Sequence, residues 1–422
     1  MTESSTELEA LDRQVSWHPF TQMREWRPLV IARGEGNYLF DETGQKYLDG
    51  VSSLWCNVHG HRRLQLDQAL REQLDRIAHS TYLGLSHEPG IRLAAELVEI
   101  APEGLTRVFY SDSGSTAVEI ALKQSFQYWQ LRGKPEKQRF LRLSEAYHGD
   151  TLGAVGVGGI DLFHRVFGPL LVQSIPITSP AVDHDRCMRE LTYELETRAD
   201  EIAAFVMEPL IQGAAGMLVH PDGFVKQARE LCTRYGVHLI LDEVATGFGR
   251  TGTMFACEQE SVAPDFLCLA KGITGGYLPL AATLSTEEIF SAFLGASQDL
   301  KQFFHGHTYT ANPLACAVGR ASLALLREET LVNAKAQIEP MREALERIAK
   351  LPTVREVRRR GLMAGIELES DDSLDGAKVC ARVREHGVIL RPLGNVVIWM
   401  PPLSIKRDEI ELLERASTAV LR

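Results

Sequence analysis

The chain has 422 residues, 45% of them apolar, with a formal charge of −11 and a pI of about 5.7. This length suits one large domain plus a smaller one around a substantial core. The acidic balance argues against a nucleic-acid partner, which needs Lys and Arg to neutralise phosphates, and no apolar run is long enough for a membrane-spanning helix.

In chain order, residues 1–10 (MTESSTELEA) are polar and acidic and lack the apolar stretch of a signal peptide, so residues 1–15 are expected to form a disordered arm on a cytoplasmic protein. Residues 30–55 carry turn-rich hairpin signals, Gly34-Glu-Gly36 and Asp41-Glu-Thr-Gly44. A strand is predicted at 107–110. After Ser111-Asp-Ser-Gly-Ser115 comes a helix with Val118, Ala121, Leu122 and Phe126 on one face. Further strands are predicted at 140–143, 202–207, 237–241 and 266–270, with helix over 223–235. Runs apolar on both faces predict an α/β fold, a mainly parallel sheet sandwiched by helices. From about Leu323 the chain is charged and helical, then turns to short strands near 361–368 and 396–400. The predicted organisation is a large domain at 61–322, with 16–60 and 323–422 joining into one smaller α+β domain.

The seven cysteines are scattered, and none forms a CxxC pair. They read as buried thiols in a reducing compartment, with no metal site or disulfide framework.

Chemistry-bearing residues gather at strand ends, where open α/β sheets bind ligands. The strand at 237–241 delivers Asp242-Glu243, and that at 266–270 delivers Lys271. The strand at 140–143 leads to Tyr147-His148-Gly149, and that at 202–207 delivers Glu208-Pro209. Lys271 follows an uncharged run and precedes Gly272-Ile-Thr-Gly-Gly276. A lysine desolvated in this way loses proton affinity and becomes a nucleophilic amine able to form an imine. An exposed loop lysine is the alternative. Asp242 suits a buried carboxylate that keeps a pyridine nitrogen protonated; a helix cap or metal ligand would look similar. Ser113-Gly114-Ser115 lies between strand and helix, where free N–H groups favour a phosphate, though an ordinary N-cap shares the pattern. Tyr147 could stack on a planar ring, or simply pack.

Gly247-Phe-Gly-Arg-Thr-Gly252 fits GxGxxG, with Asp265 downstream roughly where a ribose-binding acid is sought. A dinucleotide site needs such glycines to open a helix directly after a strand. Here residues 242–246 intervene and Thr253-Met-Phe-Ala follows, which disfavours a dehydrogenase.

Leu241-Asp-Glu-Val-Ala-Thr-Gly-Phe-Gly-Arg-Thr-Gly252, followed by Leu269-Ala-Lys-Gly-Ile-Thr-Gly-Gly276, resembles the class III aminotransferases of the fold-type I pyridoxal-phosphate superfamily. The resemblance runs from about Trp17 to the end. Within the class, Trp17-His-Pro-Phe-Thr-Gln-Met23, Ser52-Ser-Leu-Trp55, Tyr147-His-Gly-Asp150, His305-Gly-His-Thr308 and Arg391-Pro-Leu-Gly394 resemble the branch serving biotin synthesis. That branch aminates 8-amino-7-oxononanoate, usually from S-adenosylmethionine.

The resemblance implies pyridoxal 5′-phosphate as cofactor, with Lys271 as its Schiff-base lysine, Asp242 at the ring nitrogen and Tyr147 stacked on the ring. It implies phosphate binding by Gly114 and Ser115, and a cofactor-binding loop with His307 and Thr308, where Thr308 comes from the other subunit of a homodimer. Phe20, Trp55, Gly306 and Arg391 would line the substrate site, Arg391 binding a carboxylate. Many S-adenosylmethionine users carry Tyr at the position of Phe20 and near Ile398. Leu54-Trp-Cys-Asn-Val-His-Gly-His61 and His305-Gly-His-Thr-Tyr-Thr310 resemble the lysine-using branch instead. Lysine is therefore expected to be a competent donor. The alternatives are a class III ω-aminotransferase acting on diamines, β-alanine or 4-aminobutyrate, and a non-catalytic cofactor-binding protein.

Overall fold

A computed structural model describes residues 5–369 and 375–422. Its centre is a seven-stranded sheet. Strands β1 (Ile31–Glu35), β2 (Tyr38–Asp41) and β3 (Lys46–Asp49) precede it as an antiparallel meander. The sheet itself uses β4 (Leu105–Ser111), β5 (Arg139–Leu143), β6 (Ser174–Ile177) and β7 (Ile202–Met207). After the short hairpin β8 (Ile211–Gln212) and β9 (Leu218–Val219), it continues with β10 (His238–Asp242), β11 (Phe266–Leu269) and β12 (Ala281–Thr286). The order is β4-β12-β11-β10-β7-β5-β6. Neighbours pair in parallel except at β12, which runs against both β11 and β4.

Every residue of β7, β10 and β11 is buried, as expected of strands covered on both faces. The helix Gly114–Leu131 packs Ala117, Val118, Ala121 and Leu122 on one side of the sheet. The helix Phe224–Tyr235 packs Phe224, Ala228 and Leu231 into the main core.

The C-terminal part forms a second sheet from β13 (Val354–Arg360) and β14 (Met363–Leu368), together with two strands that follow the two-residue β15 (Val388–Ile389). These are β16 (Arg391–Leu393) and β17 (Val396–Trp399), and the order is β13-β14-β17-β16. β15 itself pairs in parallel with β3, so the two ends of the chain share one sheet. Leu323 lies inside the helix Pro313–Leu325, which continues through a π turn, Leu326–Thr330, into Leu331–Ile348.

The expected disordered arm is corrected over residues 5–15. Ser5–Val15 is an α-helix, because Leu8, Leu11 and Val15 recur at helical spacing among strong helix formers. Residues 1–4 lie outside the described residues. All seven cysteines are free, six of them buried. Among the described residues no helix is long and apolar enough to cross a membrane.

Candidate active site

The carboxyl ends of β5, β7, β10 and β11 open onto one cavity of about 1120 Å³. Lys271, Asp242, Tyr147, Gly114, Ser115, Trp55, Phe20 and Arg391 all line it.

Lys271 lies two residues beyond β11, at the start of a 3-10 turn, Lys271–Thr274, with φ +41°. A lysine in left-handed backbone is an uncommon arrangement that costs energy and is kept where its surroundings enforce it. Its side chain is half-buried on the cavity floor, with Nζ 5.3 Å from the centroid of the Trp55 ring. Burial holds its amine below the ordinary lysine range, opposed by the charges of Asp242 and Glu208.

Asp242 is the last residue of β10 and only 5% exposed. One carboxylate oxygen accepts the Val244 N–H at 3.0 Å, and the other lies 2.8 Å from His148 Nδ1. Against an ionised carboxylate that nitrogen carries the proton and donates. His148 Nε2 is buried without a partner among the described residues. Tyr147, one residue earlier, donates its hydroxyl to Asp150 at 2.7 Å; burial and that bond push its phenol well above its usual value.

At the N-terminus of the helix Gly114–Leu131, Ser113 caps the first turn by accepting the Thr116 N–H. First-turn N–H groups have no acceptor within the helix, which makes this wall suited to an anion. Space is tight there: a Cβ on Gly114 would lie 2.5 Å from Val244 Cγ1. Ser115 Oγ accepts the Thr151 N–H at 3.0 Å and pairs with Thr151 Oγ1 at 2.6 Å, which fixes the neighbouring turn.

Trp55 is 7% exposed and has φ +66°. Phe20 sits at the mouth, 58% exposed. Arg391 opens β16, half-buried, and no carboxylate pairs with it among the described residues. Gly306, His307 and Thr308 do not line the cavity of their own chain. Gly306 and Thr308 are exposed, and the His307 N–H donates to Thr310 Oγ1. Ile398 is also absent from the walls; it is fully buried in a cluster with Trp55, Met363 and Met400.

The GxGxxG segment is a turn. Gly249 and Gly252 have φ +95° and +107°, and Arg250 is buried, donating to Ser52 Oγ (2.7 Å) and to the Pro401 carbonyl. Asp265 accepts the Leu239 N–H and pairs with Arg229, away from the cavity. Glu243 accepts N–H bonds from Ala256 and Cys257 and so anchors the following loop. Sequence reasoning assigned no role to His148, Glu208 or Arg250. For the first two the signal was present, since both stand at strand exits.

A family profile described as aminotransferase class-III matches residues 21–420. The chain belongs to the class III aminotransferases. A Geobacter sulfurreducens relative, named adenosylmethionine-8-amino-7-oxononanoate aminotransferase, is 50% identical over 95% of this chain and 94% of its own. The crystal structure of the so-named aminotransferase from Methanocaldococcus jannaschii matches with a TM-score of 0.96 at 45% identity, over 99% of both chains. An amine transaminase from an uncultivated Pseudomonas species, in its pyridoxal-phosphate-bound form, matches with a TM-score of 0.91 at 38% identity, over 96% of this chain and 98% of that one.

This class III aminotransferase is therefore a pyridoxal-phosphate-dependent transaminase of fold type I. The cavity fits that cofactor: a desolvated amine, a buried carboxylate and a tight, glycine-lined helix N-terminus converge on it. When bound, pyridoxal phosphate supplies an electron sink for the bond to hydrogen at the substrate carbon.

Proposed function

We propose that this aminotransferase converts 8-amino-7-oxononanoate to 7,8-diaminononanoate for biotin synthesis. Arg391 carries the reading: a guanidinium without an acidic partner among the described residues, in a cavity whose walls include the apolar side chains of Trp55, Leu54, Leu393 and Leu278, suits a long apolar chain ending in a carboxylate. The names of the relatives support the same acceptor. In this reading residues 61–322 form the cofactor-binding part, and 16–60 with 323–422 form the smaller part that brings Arg391.

The proposed roles follow from position. Lys271 Nζ holds the cofactor and moves the proton at the substrate carbon, Asp242 keeps the ring nitrogen protonated, and Tyr147 stacks on the ring. Gly114 and Ser115 hold the phosphate. Phe20, Trp55 and Gly306 shape the substrate site. His307 and Thr308 do not line their own cavity, which supports a homodimer in which they complete the partner's site. Equilibrium sedimentation giving twice 46.9 kDa is the expected result, and a monomer mass would reject it. A cytoplasmic location is part of the same proposal.

S-adenosylmethionine is the proposed donor, supported by the relatives' names. The lysine alternative rested partly on an apolar wall at Ile398, and that residue does not face the cavity. A panel of S-adenosylmethionine, lysine, diamines, β-alanine and 4-aminobutyrate against 8-amino-7-oxononanoate, read out as diamine product, tests both choices. Product from S-adenosylmethionine is expected. Likeness to an amine transaminase keeps a second reading, an ω-aminotransferase, and turnover confined to other acceptors would favour it.

Arg391→Ala is expected to weaken use of the acceptor by about 1.5–3 kcal/mol, the range for hydrogen bonds to a charged group. Half-reactions measured separately check this. The donor half should suffer less, and equal losses in both would mean an indirect role.

A further inference from the structure

Glu208 directly follows β7, a strand buried along its whole length, and is itself only 5% exposed on the cavity wall. Its carboxylate accepts the N–H of Gly213 at 2.9 Å and the N–H of Tyr147 at 3.3 Å. Gly213 lies between β8 and β9, whereas Tyr147 lies on the exit from β5. One carboxylate therefore joins two separate strand exits.

Behind Gly213 stands the indole of Trp55: a Cβ built on that glycine would lie 3.3 Å from Trp55 Cζ3. Tyr147 and Trp55 are both walls of the cavity. We propose that Glu208 is a positioning residue, which sets the separation of the Tyr147 and Trp55 walls of the cofactor cavity by holding the main chains of Tyr147 and Gly213 together. The inference needs only the cofactor site shared by the family and is independent of the amino acceptor.

The charged and titratable groups around Glu208 are His148, Asp242 and Lys271. Burial pushes its carboxyl up to about 7; Asp242 adds to the rise, while His148 and the two N–H bonds oppose it. An ionised carboxylate accepts at both oxygens, whereas a protonated one turns one oxygen into a donor facing an N–H. The tie is therefore complete above the pH at which Glu208 ionises and weakens below it. A carboxylate that merely satisfied two buried N–H groups would affect stability without altering the cavity.

The test is binding of pyridoxal phosphate to the cofactor-free, full-length protein, followed by tryptophan fluorescence quenching across neutral pH, with Trp55→Phe identifying the Trp55 signal. The parent should bind more weakly on the acid side. Glu208→Gln, which presents its oxygen to one of the two N–H donors and an NH2 to the other, should bind about tenfold more weakly on the alkaline side, the loss of one hydrogen bond to a charged group, and lose the acid-side step. Glu208→Asp keeps the charge but is too short to span both donors, so it should recover part of the affinity together with the pH step. Parent-like binding by Glu208→Gln at every pH, or a pH step that survives in it, overturns the proposal. If Glu208→Gln fails to fold, Glu208→Asp decides: weakened, pH-stepped binding supports the tie, and parent-like binding refutes it.

Discussion

Asp242→Asn is expected to leave the fold intact and to cut transamination by about 10²–10³-fold, the scale for removing one preorganised charge from a water-poor site. The separation of the two effects follows from local hydrogen bonding. Asn at this position can still accept the Val244 N–H with its carbonyl oxygen. Its amide would then face His148 Nδ1, and the imidazole can answer by moving its proton to Nε2, which has no competing partner among the described residues. What cannot be replaced is the negative charge, without which nothing keeps the ring nitrogen protonated. Single-turnover kinetics beside a thermal melt check this: near-parental rates, or a collapsed melt, would remove the assigned role.

Lys271→Ala should have the larger effect. It removes both the amine that attaches the cofactor and the group that moves the proton, and general acid–base catalysis alone contributes about 10²–10⁴-fold. The variant should bind pyridoxal phosphate through the remaining walls, without covalent attachment, and show almost no turnover. Its folding should not suffer, because a desolvated amine is a burden on the native state. The lysine's folded pKa lies below its unfolded value, so in the parent the unfolded chain binds more protons as pH approaches the folded pKa from above. Stability of the cofactor-free parent should therefore rise with pH between the folded pKa and 10.5, and this slope should be absent in Lys271→Ala. Substantial turnover by Lys271→Ala would assign the chemistry to another residue.

How much of this was readable beforehand depended on the range of the interactions. β7 and β11 were legible because strands buried on both faces must be apolar throughout. β12 was missed. Its sequence, Ala-Ala-Thr-Leu-Ser-Thr, lacks a β-branched run and gains its place only by pairing between β4 and β11. The helix Ser5–Val15 was mistaken for a disordered arm because polarity outweighed the spacing of its few apolar residues.

The same division holds at the site. Asp242 and Lys271 stood out as charged residues delivered by apolar strands. His148 meets Asp242 across 94 positions, and Arg250 reaches Ser52 across 198, so neither partnership leaves a local mark. Glu208 was visible as a strand-end acid, yet its two N–H donors come from separate loops. Ile398 shows the opposite failure. Two positions before Met400, it was expected to bear on the pocket, but β17 is buried along its whole length and Ile398 packs in a cluster with Trp55, Met363 and Met400.

The measurement that bears most directly on the account is borohydride reduction of the pyridoxal-phosphate-loaded protein, followed by proteolysis and peptide mapping. The expected result is a single modified residue, Lys271, in the peptide spanning Leu269 to Gly276. Labelling of a different lysine, or of none, would contradict the assignment of this cavity as the cofactor site.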